Sequence, residues 1–545
     1  MMICILHGYL LDGSGSNLWT RSVVRALCAD GETVHLVCQE PHPETYDFIT
    51  AAYEYAPDGT VRTMLERASP YDGSCVMHKP LLGDTLPVYV WDQYEEFEHV
   101  VPMTELDETV LEDYLHRNVS VLNRVVKAHG ITAMHANHAV LMSVVAKRVS
   151  LWTGVPYVVM PHGSALEYAV KPDVRFQRLG ADAFDHAGRV LAISDETAQR
   201  AERAFEDRIG SLQTKFVAMD LGVDTSAFNP IEPAERSANV AHVKELLSGV
   251  ARGRSVEHGR RLLEDLVAKD DVAIACRSIG DYVAKQPDED VEAKLDSIDW
   301  EQDQVLAFIG RLIPAKGIHA VIGALPLIMT DAPRLRMIVV GHGPLREPLE
   351  TLLFAMERGD RTLAERVLRY AETIDAGEPE HLAALRGFWQ QLERDGVVDE
   401  YWDAARRLMK PDTVVMTGYL THREMAWLLP CCDAAIFPSM VLESGPLVFL
   451  EALSSGVFPI GTYFGGMQVK IDRATPYLGD DAAAMKVRPD AEHIVADIAR
   501  AVPTALPLGN RHRQTLRRIA EEHYDWKPVA RRLHRELMSL TSSLT

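Results

Sequence analysis

The 545-residue sequence lacks several features that would place it in common classes of protein. No run reaches the roughly 18 unbroken apolar residues of a membrane-spanning helix. Its seven cysteines are scattered and include no pair of CxxC units, so a zinc ribbon is not expected and the thiols are predicted to be reduced. The first residues, MMICILHGYLLDG, have no basic segment before their apolar run, which favours a first strand over a signal peptide. We therefore expect a soluble, cytoplasmic protein, with a peripheral membrane contact left open.

The sequence also has little positive charge, with 56 basic against 78 acidic residues and a net charge of −22. A protein that binds nucleic acid over a broad surface needs a basic face, so no nucleic-acid partner is expected. No GxxxxGK[ST] phosphate loop occurs. The glycine pairs in DGSGSN (12–17) and VVGHGPLREPL (339–349) lack the GxGxxG spacing of a dinucleotide site and by themselves indicate only turns. A local basic site for a phosphate-bearing ligand stays compatible with this composition.

What the sequence does contain is an alternation of continuous apolar strands with amphipathic helices. Such strands are typical of parallel sheets that are covered on both faces, so an α/β class is predicted. The alternation runs from residue 2 to about 225 and returns at VLAFIGRL (305–312), which predicts two α/β units. Residues 41–100, rich in Tyr, Pro and Asp, are expected to leave the first sheet, with a strand of their own at 88–91.

Two charged stretches, 231–300 and 346–410, have helical spacing and few strand signals, and they predict helical insertions. The predicted division is an N-terminal Rossmann-like domain (1–230), a helical insertion or linker (231–301), a C-terminal Rossmann-like domain (302–520) with a helical insertion at about 350–410, and a C-terminal helix (521–545) that packs back on the N-terminal domain.

The segment FIGRLIPAKGI (308–318) is predicted to run from a strand through a turn into a helix. Arg311 and Lys316 lie in that turn, next to a helix N-terminus whose free N–H groups carry partial positive charge. Arg favours bidentate contact with a phosphate, and Lys supplies a mobile point charge. The pattern indicates an anion site, and the alternative is a pair of solvated basic side chains.

In PSMVLESGPLVFLEALSSG (438–456), Glu443 and Glu451 are the only ionisable groups. Glu443 follows a predicted strand, and Glu451 lies in a predicted helix (446–455) among apolar neighbours. An unpaired buried carboxylate would cost several kcal/mol, so Glu451 either faces water on a polar stripe or binds a ligand, such as the vicinal diol of a ribose. His162, in VVMPHGS (158–164), is predicted at the carboxyl end of a strand, where doubly wound sheets bind ligands; the alternative is a structural histidine.

In their order along the chain, these segments resemble the retaining glycosyltransferases of GT-B fold, glycosyltransferase family 4, also called glycosyl transferases group 1. The matching segments are the glycine loop at Gly13 and Gly15, His162–Gly163, LGVDTSAFNP (221–230), GRLIPAKG (310–317), GHG (341–343), TGYL (417–420), Glu443 with Glu451, and GTYFGGMQ (461–468). The resemblance covers about 1–60, 105–230 and 302–540. The sequence differs from the family pattern at Gln468, near which the family often has a glutamate. It also differs at Pro446, which has no N–H for a contact with the ligand at this helix start.

The resemblance implies two Rossmann-like domains that face each other across a cleft, with a nucleoside-diphosphate (NDP) sugar held mainly by the C-terminal one and the acceptor bound by the N-terminal one. Arg311 and Lys316 would neutralise the diphosphate, Glu443 would hold the donor sugar, and His162 would complete the catalytic set. Glu451 would take the ribose hydroxyls. The other implied donor-binding residues are Gly15, Ser16, Gly341, Gly343, Leu420, Gly445, Leu447 and Val448.

The implied reaction is metal-independent, because two cations and helix N-termini can stabilise the developing charge of the diphosphate and no acidic pair of DxD type is placed to bind a metal. No cofactor is expected, and a UDP-sugar is the favoured donor. The acceptor would be a carbohydrate, a lipid-linked molecule or a small molecule. Three alternatives stay open: a nucleotide-sugar-binding protein without transfer, a GT-B phosphorylase and an NDP-sugar epimerase.

Overall fold

The computed structural model describes residues 2–542 except 13–14, 84, 90–96, 98, 206–207, 211, 277–281, 375–379 and 444. The contacts between residues divide the chain into two units, one formed by 1–222 with 523–545 and the other by 223–522. Residues 231–301, which the sequence sets apart as an insertion or linker, belong to the second unit. Among the helices described, none is long and apolar enough to cross a membrane.

The first unit is built on a nine-stranded sheet in the order β11-β10-β9-β8-β1-β2-β5-β3-β4. All neighbouring strands are parallel except β3 and β4, and β6 and β7 form a separate parallel pair. The strands are β1 (Ile3–Leu6), β2 (Thr33–Val37), β3 (Ile49–Tyr55), β4 (Val61–Glu66), β5 (Ser74–Pro80), β6 (Thr85–Val88), β7 (His99–Pro102), β8 (Ala133–Asn137), β9 (Tyr157–Met160), β10 (Arg189–Ala192) and β11 (Phe216–Ala218).

The helices of this unit cover the sheet, and their apolar sides form a core with the strands that includes Leu6, Leu115 and Phe176. The helices are α1 (Gly15–Ala29), α2 (Glu108–His129), α3 (Met142–Thr153), α4 (Gly163–Ala165), α5 (Val174–His186) and α6 (Asp195–Phe205), with a π-helical turn at Leu166–Val170 and 3₁₀ turns at Pro43–Thr45 and Met103–Glu105. The chain order reverses at β1, which lies between β2 and β8. The carboxyl ends of β1 and β8 therefore form the topological switch point of this sheet.

The prediction that residues 41–100 leave the sheet is wrong for 49–80, because β3, β4 and β5 extend it, with β5 inserted between β2 and β3. The strand ITAAYEY (49–55) joins small residues to Tyr-Glu-Tyr, so it lacks the continuous apolar run that is typical of the other predicted strands. The predicted strand 88–91 falls partly outside the described residues. Its first residue, Val88, ends β6.

The second unit has a six-stranded, all-parallel sheet in the order β14-β13-β12-β15-β16-β17. This is the order of the doubly wound dinucleotide-binding fold, in which the chain reverses between the first and the fourth strand. Here that switch point lies between β12 and β15. The strands are β12 (Gln304–Ile309), β13 (Leu335–Val340), β14 (Val414–Gly418), β15 (Ala434–Phe437), β16 (Phe458–Thr462) and β17 (Lys486–Val487).

The predicted helical character of 231–300 and 346–410 is confirmed. The helices of the second unit are α7 (Arg236–Leu247), α8 (Val256–Lys269), α9 (Val272–Ala275), α10 (Val291–Asp296), α11 (Ile318–Asp331), α12 (Arg346–Arg358), α13 (Arg361–Ala371), α14 (Glu380–Arg394), α15 (Val398–Leu408), α16 (His422–Leu428), α17 (Leu447–Ser454), α18 (Gly465–Leu478) and α19 (Ile494–His523), with 3₁₀ turns at Pro233–Glu235, Pro314–Lys316, Leu429–Cys431 and Gly479–Met485.

Buried ion pairs attach the helices of 231–300 to the second unit. Arg236 Nη2 lies 2.6 Å from Asp433 Oδ1, just before β15, and Arg346 Nη2 on α12 lies 2.5 Å from Asp288 Oδ2. Each of these four side chains is less than a tenth exposed. Removing one partner of such a pair would leave an uncompensated buried charge, so each pair specifies how the helices dock.

The last helix, α20 (Trp526–Ser542), packs on α1 of the first unit. A Cβ at Gly222 would lie 2.3 Å from Cε3 of Trp526, so only glycine allows the chain to pass this indole ring. Arg531 on α20 donates to Asp30, which follows α1, over 2.6 Å. All seven cysteines are buried and none is in a disulfide.

Candidate functional site

The turn after β12 places the two predicted cations at the carboxyl edge of the second unit's sheet. The chain passes Gly310, turns through Pro314–Lys316 and enters α11 at Gly317, whose φ is +70°. A Cβ at Gly317 would lie 2.1 Å from the carbonyl oxygen of Pro438, so glycine lets the loop after β12 touch the loop after β15. Met440 N donates to Ala315 O over 2.8 Å and holds the two loops together.

Lys316 and Glu443 meet where these loops touch. Lys316 Nζ lies 2.5 Å from Glu443 Oε1, and both side chains are partly exposed, by 31% and 20%. Arg311 is exposed in the same loop, and among the described residues its guanidinium has no acidic partner within 4.0 Å. The loop at this switch point therefore carries two cations, and among the described residues only Lys316 has an acidic partner.

The glycines of GHG let the loop after β13 lie against the loop after β12. At Gly341, with φ +153°, a Cβ would be 1.9 Å from Gly310 O, and at Gly343 it would be 2.5 Å from Leu312 O. Leu312 N donates to His342 O over 2.8 Å. These two glycines thus bring the backbone of the phosphate-binding candidate Arg311 beside a second loop at the same sheet edge.

Glu451 is buried, with 4% of its surface exposed, so the alternative in which it faces water is wrong. Its Oε1 lies 2.9 Å from Nε2 of His422, the first residue of α16, whose side chain is about half exposed. Thr421 caps α16 through a capping box with Glu424, which fixes where the helix and His422 begin. The carboxylate therefore has a partner at the end of the loop that follows β14.

The loop from Glu443 into α17 brings backbone N–H groups to the same edge. Helix α17 begins at Leu447, one residue later than predicted, with Pro446 as its N-cap residue and Gly445 at φ +153°. The N–H groups of Leu447 and Val448 belong to the first turn, where a helix offers unpaired donors. Gly466 N donates to Glu443 O over 2.9 Å, which links this loop to the two glycines that begin α18. Leu420 is buried just after β14.

In the first unit, His162 follows β9 and is 6% exposed. Its Nε2 lies 3.0 Å from Oδ1 of Asn137, which also lies 3.1 Å from Nε2 of His135. An amide oxygen only accepts, so both imidazoles donate from Nε2 and the lone pair of His162 is on Nδ1. Asn137 ends β8 at the switch point, and its Nδ2 donates to Thr20 over 2.8 Å.

Burial keeps these imidazoles neutral. Desolvation, together with the nearby His7 and His135, lowers the pKa of His162 to about 3. It likewise lowers the pKa of His7 and of His135 to about 4, although hydrogen bonds to Asn17 and Asn137 respectively favour the charged forms. His162 is thus a neutral hydrogen-bonding group at physiological pH.

The glycine loop of the first unit is described only in part, since Gly13 lies outside the described residues. Gly15 and Ser16 are the first two residues of α1, and Gly15 is exposed with open space around it. Asn17 follows them, and its Oδ1 lies 3.0 Å from Nε2 of His7 at the end of β1. The structure thus brings Gly15 and Ser16 to the same sheet edge as His7 and Asn137.

Two site residues were missed by sequence reasoning. His422 lies in TGYLTHREM, where the available signal is a histidine directly after Thr421, a residue type that often caps helices, just beyond a strand. His138 follows β8 with φ +72°, an uncommon value for a residue other than glycine. Its ring is tilted against the rings of Tyr89 and His162, with centroids 4.4 and 4.7 Å away, and no local sequence pattern indicates these contacts.

Two family models match the sequence. The "Glycosyl transferase 4-like domain" model matches residues 14–209, and the "Glycosyl transferases group 1" model matches residues 397–514. The second match contains Glu443, Glu451 and His422, and together the two span more than half of the chain. This chain is a group 1 glycosyltransferase. No curated relative matches the sequence.

Solved structures confirm the fold of this glycosyltransferase. It is similar to sucrose-phosphate synthase from Thermosynechococcus elongatus, with 16% identity, 99% of each chain covered and a TM-score of 0.52. The catalytic domain of starch synthase IV from Arabidopsis thaliana, bound to ADP and acarbose, matches with 13% identity, 99% of each chain and a TM-score of 0.52. A glycosyltransferase from Rickettsia africae matches with 13% identity, covering 99% of this chain and 98% of that chain, with a TM-score of 0.51. The predicted GT-B class with two Rossmann-like units is therefore confirmed.

Proposed function

We propose that this glycosyltransferase moves a sugar from an NDP-sugar to an acceptor hydroxyl with retention of anomeric configuration and without a metal ion in the transfer step. The observation that carries the proposal is the ion pair of Lys316 with Glu443 at the switch point of the second unit's sheet, with exposed Arg311 in the same loop as Lys316. In open α/β sheets this is the place where nucleotide ligands bind.

Arg311 and Lys316 are proposed to stabilise the leaving group. In the reaction the bond between the anomeric carbon and the diphosphate oxygen breaks, and its electron pair goes to the diphosphate. Fixed cations and the first-turn N–H groups of Leu447 and Val448 lower the energy of that charge as it develops. Removing one such donor typically costs about 10²–10³ in kcat. This arrangement supplies the charge that a metal ion supplies elsewhere, which supports a metal-independent step.

Glu443 is proposed to exchange partners when the donor binds. Its ion pair with Lys316 is partly exposed, so an entering diphosphate can compete for the ammonium group. The diphosphate has the advantage because it carries two negative charges, whereas the carboxylate carries one. The freed carboxylate then accepts hydrogen bonds from hydroxyls of the donor sugar. Gly341 and Gly343 let the loop after β13 support the backbone of the loop that carries Arg311 and Lys316, and Gly445 gives the loop after Glu443 the φ of +153° with which it enters α17.

Glu451 is proposed to hold the ribose. A buried carboxylate can accept from two vicinal hydroxyls, and His422 fixes its orientation through Oε1. Leu420 would pack near the base. UDP is the favoured nucleotide because the family most often uses it, and the ADP of the Arabidopsis starch synthase structure supports a nucleoside diphosphate as the common element.

The acceptor hydroxyl belongs to a carbohydrate, a lipid-linked molecule or a small molecule, and its proton passes to an oxygen of the leaving phosphate in a front-face attack. Gly15, Ser16 and His162 take the roles that the family resemblance implies. His162 would then act as a neutral group through its Nδ1 lone pair, since Nε2 is engaged with Asn137.

The test is a screen of UDP-, GDP- and ADP-sugars with the purified chain in EDTA, with candidate acceptors, followed by NMR of the product's anomeric proton. The proposal expects acceptor-dependent release of NDP, a product with the donor's anomeric configuration, and loss of turnover in Lys316→Ala. Donor binding without release would support a binding protein instead. Phosphate-dependent glycan breakdown would identify a phosphorylase, and an altered C2 centre in the NDP-sugar an epimerase.

A further inference from the structure

Three histidines of the first unit lie together at a place that the proposed transfer reaction does not use. His35 is in β2, His78 is in β5 and His129 is the last residue of α2. One ring nitrogen of each lies within 4.8 Å of one ring nitrogen of both others. His35 Nδ1 and His78 Nε2 are 2.9 Å apart, and the ring centroids of His35 and His129 are 4.4 Å apart.

The sheet register explains why the first two imidazoles meet. His35 is paired with Val76 in β5, so His78, two residues further along that strand, points to the same face of the sheet. Helix α2 ends there with His129, and Gly130 closes it in the left-handed conformation at φ +62°. Strands β2 and β5 and the end of α2 thus place the three imidazole rings next to one another, although the residues are far apart in sequence.

Two further observations fit a metal site. His35 is 1% exposed, and among the described residues its ring makes one hydrogen bond, from or to Nδ1 with His78 Nε2, so a metal ion would displace only that bond. His78 is fully buried and its Nδ1 lies 2.8 Å from the hydroxyl of Tyr55. A histidine that binds a metal through one nitrogen typically has its other nitrogen held in this way.

We propose that His35, His78 and His129 bind one divalent zinc-class metal ion, with water in the fourth position on the side of exposed His129. Neutral imidazole nitrogens suit Zn²⁺, which is bound at about 2.0–2.1 Å in tetrahedral geometry. That geometry requires ligand atoms about 3.3 Å apart. The His35–His78 pair is already near this spacing, and His129, whose side chain is exposed, closes the site by rotating.

The proton balance of binding is simple. In the proposed starting tautomer His35 carries its hydrogen on Nε2 and His78 donates from Nε2 to His35 Nδ1. On metal binding the His78 hydrogen moves to its Nδ1, which then donates to the Tyr55 oxygen. Each imidazole stays neutral with one N–H, so the ion takes the place of the internal hydrogen bond. The carboxyl end of α2 carries partial negative charge and favours a cation beside His129. The bound ion would fasten the end of α2 to the sheet.

The test uses the full chain incubated with Zn²⁺ and freed of loose metal, with metal content measured by mass spectrometry and affinity by competition with a chelating dye. One equivalent of Zn²⁺ is expected in the wild type. His129→Ala should weaken binding by at least about 100-fold, because it removes a direct ligand. Tyr55→Phe should weaken it by about tenfold, as a group that positions His78.

His116→Ala is the matched control, since His116 is an exposed histidine on the same helix, and it should bind like the wild type. Co²⁺ substitution should give visible absorption bands of a four-coordinate site in the wild type and not in His129→Ala. Because His129 is exposed, its variant should fold, which the circular dichroism spectrum checks. Equal Zn²⁺ binding by His129→Ala and the wild type, or no retained metal in the wild type, would overturn the proposal.

Discussion

Lys316 and Glu443 form an ion pair with 2.5 Å between Nζ and Oε1, although 127 residues separate them in the sequence. One follows β12 and the other follows β15, the two strands on either side of the switch point. The pair holds a cation and a carboxylate at the edge where Arg311 adds a second positive charge. An incoming diphosphate would meet this edge with its cations already in place.

Replacing either cation should reduce transfer. Lys316→Ala and Arg311→Ala should each lower kcat by about 10²–10³, because each removes fixed positive charge from the developing diphosphate. Steady-state release of NDP measures this. Arg406→Ala, at an exposed arginine on α15 of the same unit, is the control and should keep wild-type turnover. Wild-type kcat in both of the first two variants would contradict the proposed charge stabilisation.

Glu451→Gln should weaken nucleotide binding by about tenfold or more, because a hydrogen bond to a charged group contributes about 1.5–3 kcal/mol. The change keeps the side-chain volume, so no cavity forms at this buried position. Calorimetric titration with UDP measures the affinity. Glu492→Gln, at an exposed site of the same unit, should bind UDP like the wild type. A UDP affinity of Glu451→Gln equal to that of Glu492→Gln and the wild type would show that Glu451 does not bind the ribose.

Gly341→Ala should lower the free energy of unfolding of the second unit by about 2–4 kcal/mol, because a Cβ there would lie 1.9 Å from a backbone oxygen that cannot turn aside. Urea unfolding followed by circular dichroism measures the loss. Gly387→Ala, in helix α14 with open space around it, should instead be neutral or stabilise by about 0.5–1 kcal/mol. A Gly341→Ala protein as stable as the wild type would show that the two loops can separate at little cost.

Acid should destabilise the first unit before its carboxylates titrate. His7, His135 and His162 have folded pKa values of about 4, 4 and 3, against about 6.5 when unfolded. Between these limits the unfolded state binds more protons, so stability falls as pH falls, by up to about 1.4 kcal/mol per pH unit for each histidine. Unfolding midpoints at about pH 7.5, 6.5 and 5.5 measure the slope.

His135→Gln should flatten this slope, since an amide does not titrate, whereas His116→Gln, at an exposed position, should leave it unchanged. A pH-independent midpoint in the wild type over this range would show that the buried imidazoles can gain protons without unfolding.

Sequence periodicity predicted most strands because each is a short apolar run between helices, as in RMIVVG before the GHG loop. It failed for β3 (ITAAYEY) and β5 (SCVMHKP), whose polar and aromatic residues leave no long continuous apolar run. Sequence periodicity also could not predict the contact of Glu451 with His422. Whether a carboxylate in an apolar helix faces water or a partner depends on which helix packs beside it.

The sequence by itself determined the α/β class, the family and which residue types line the strand ends, because these follow from local hydrophobic period and from motifs in a set order. Only the tertiary structure decided that Lys316 has an acidic partner while Arg311 has none among the residues described, that His162 stays neutral, and that His35, His78 and His129 converge. Strand order and register bring such groups within a few ångströms of one another, and neither is encoded in any single segment of the chain.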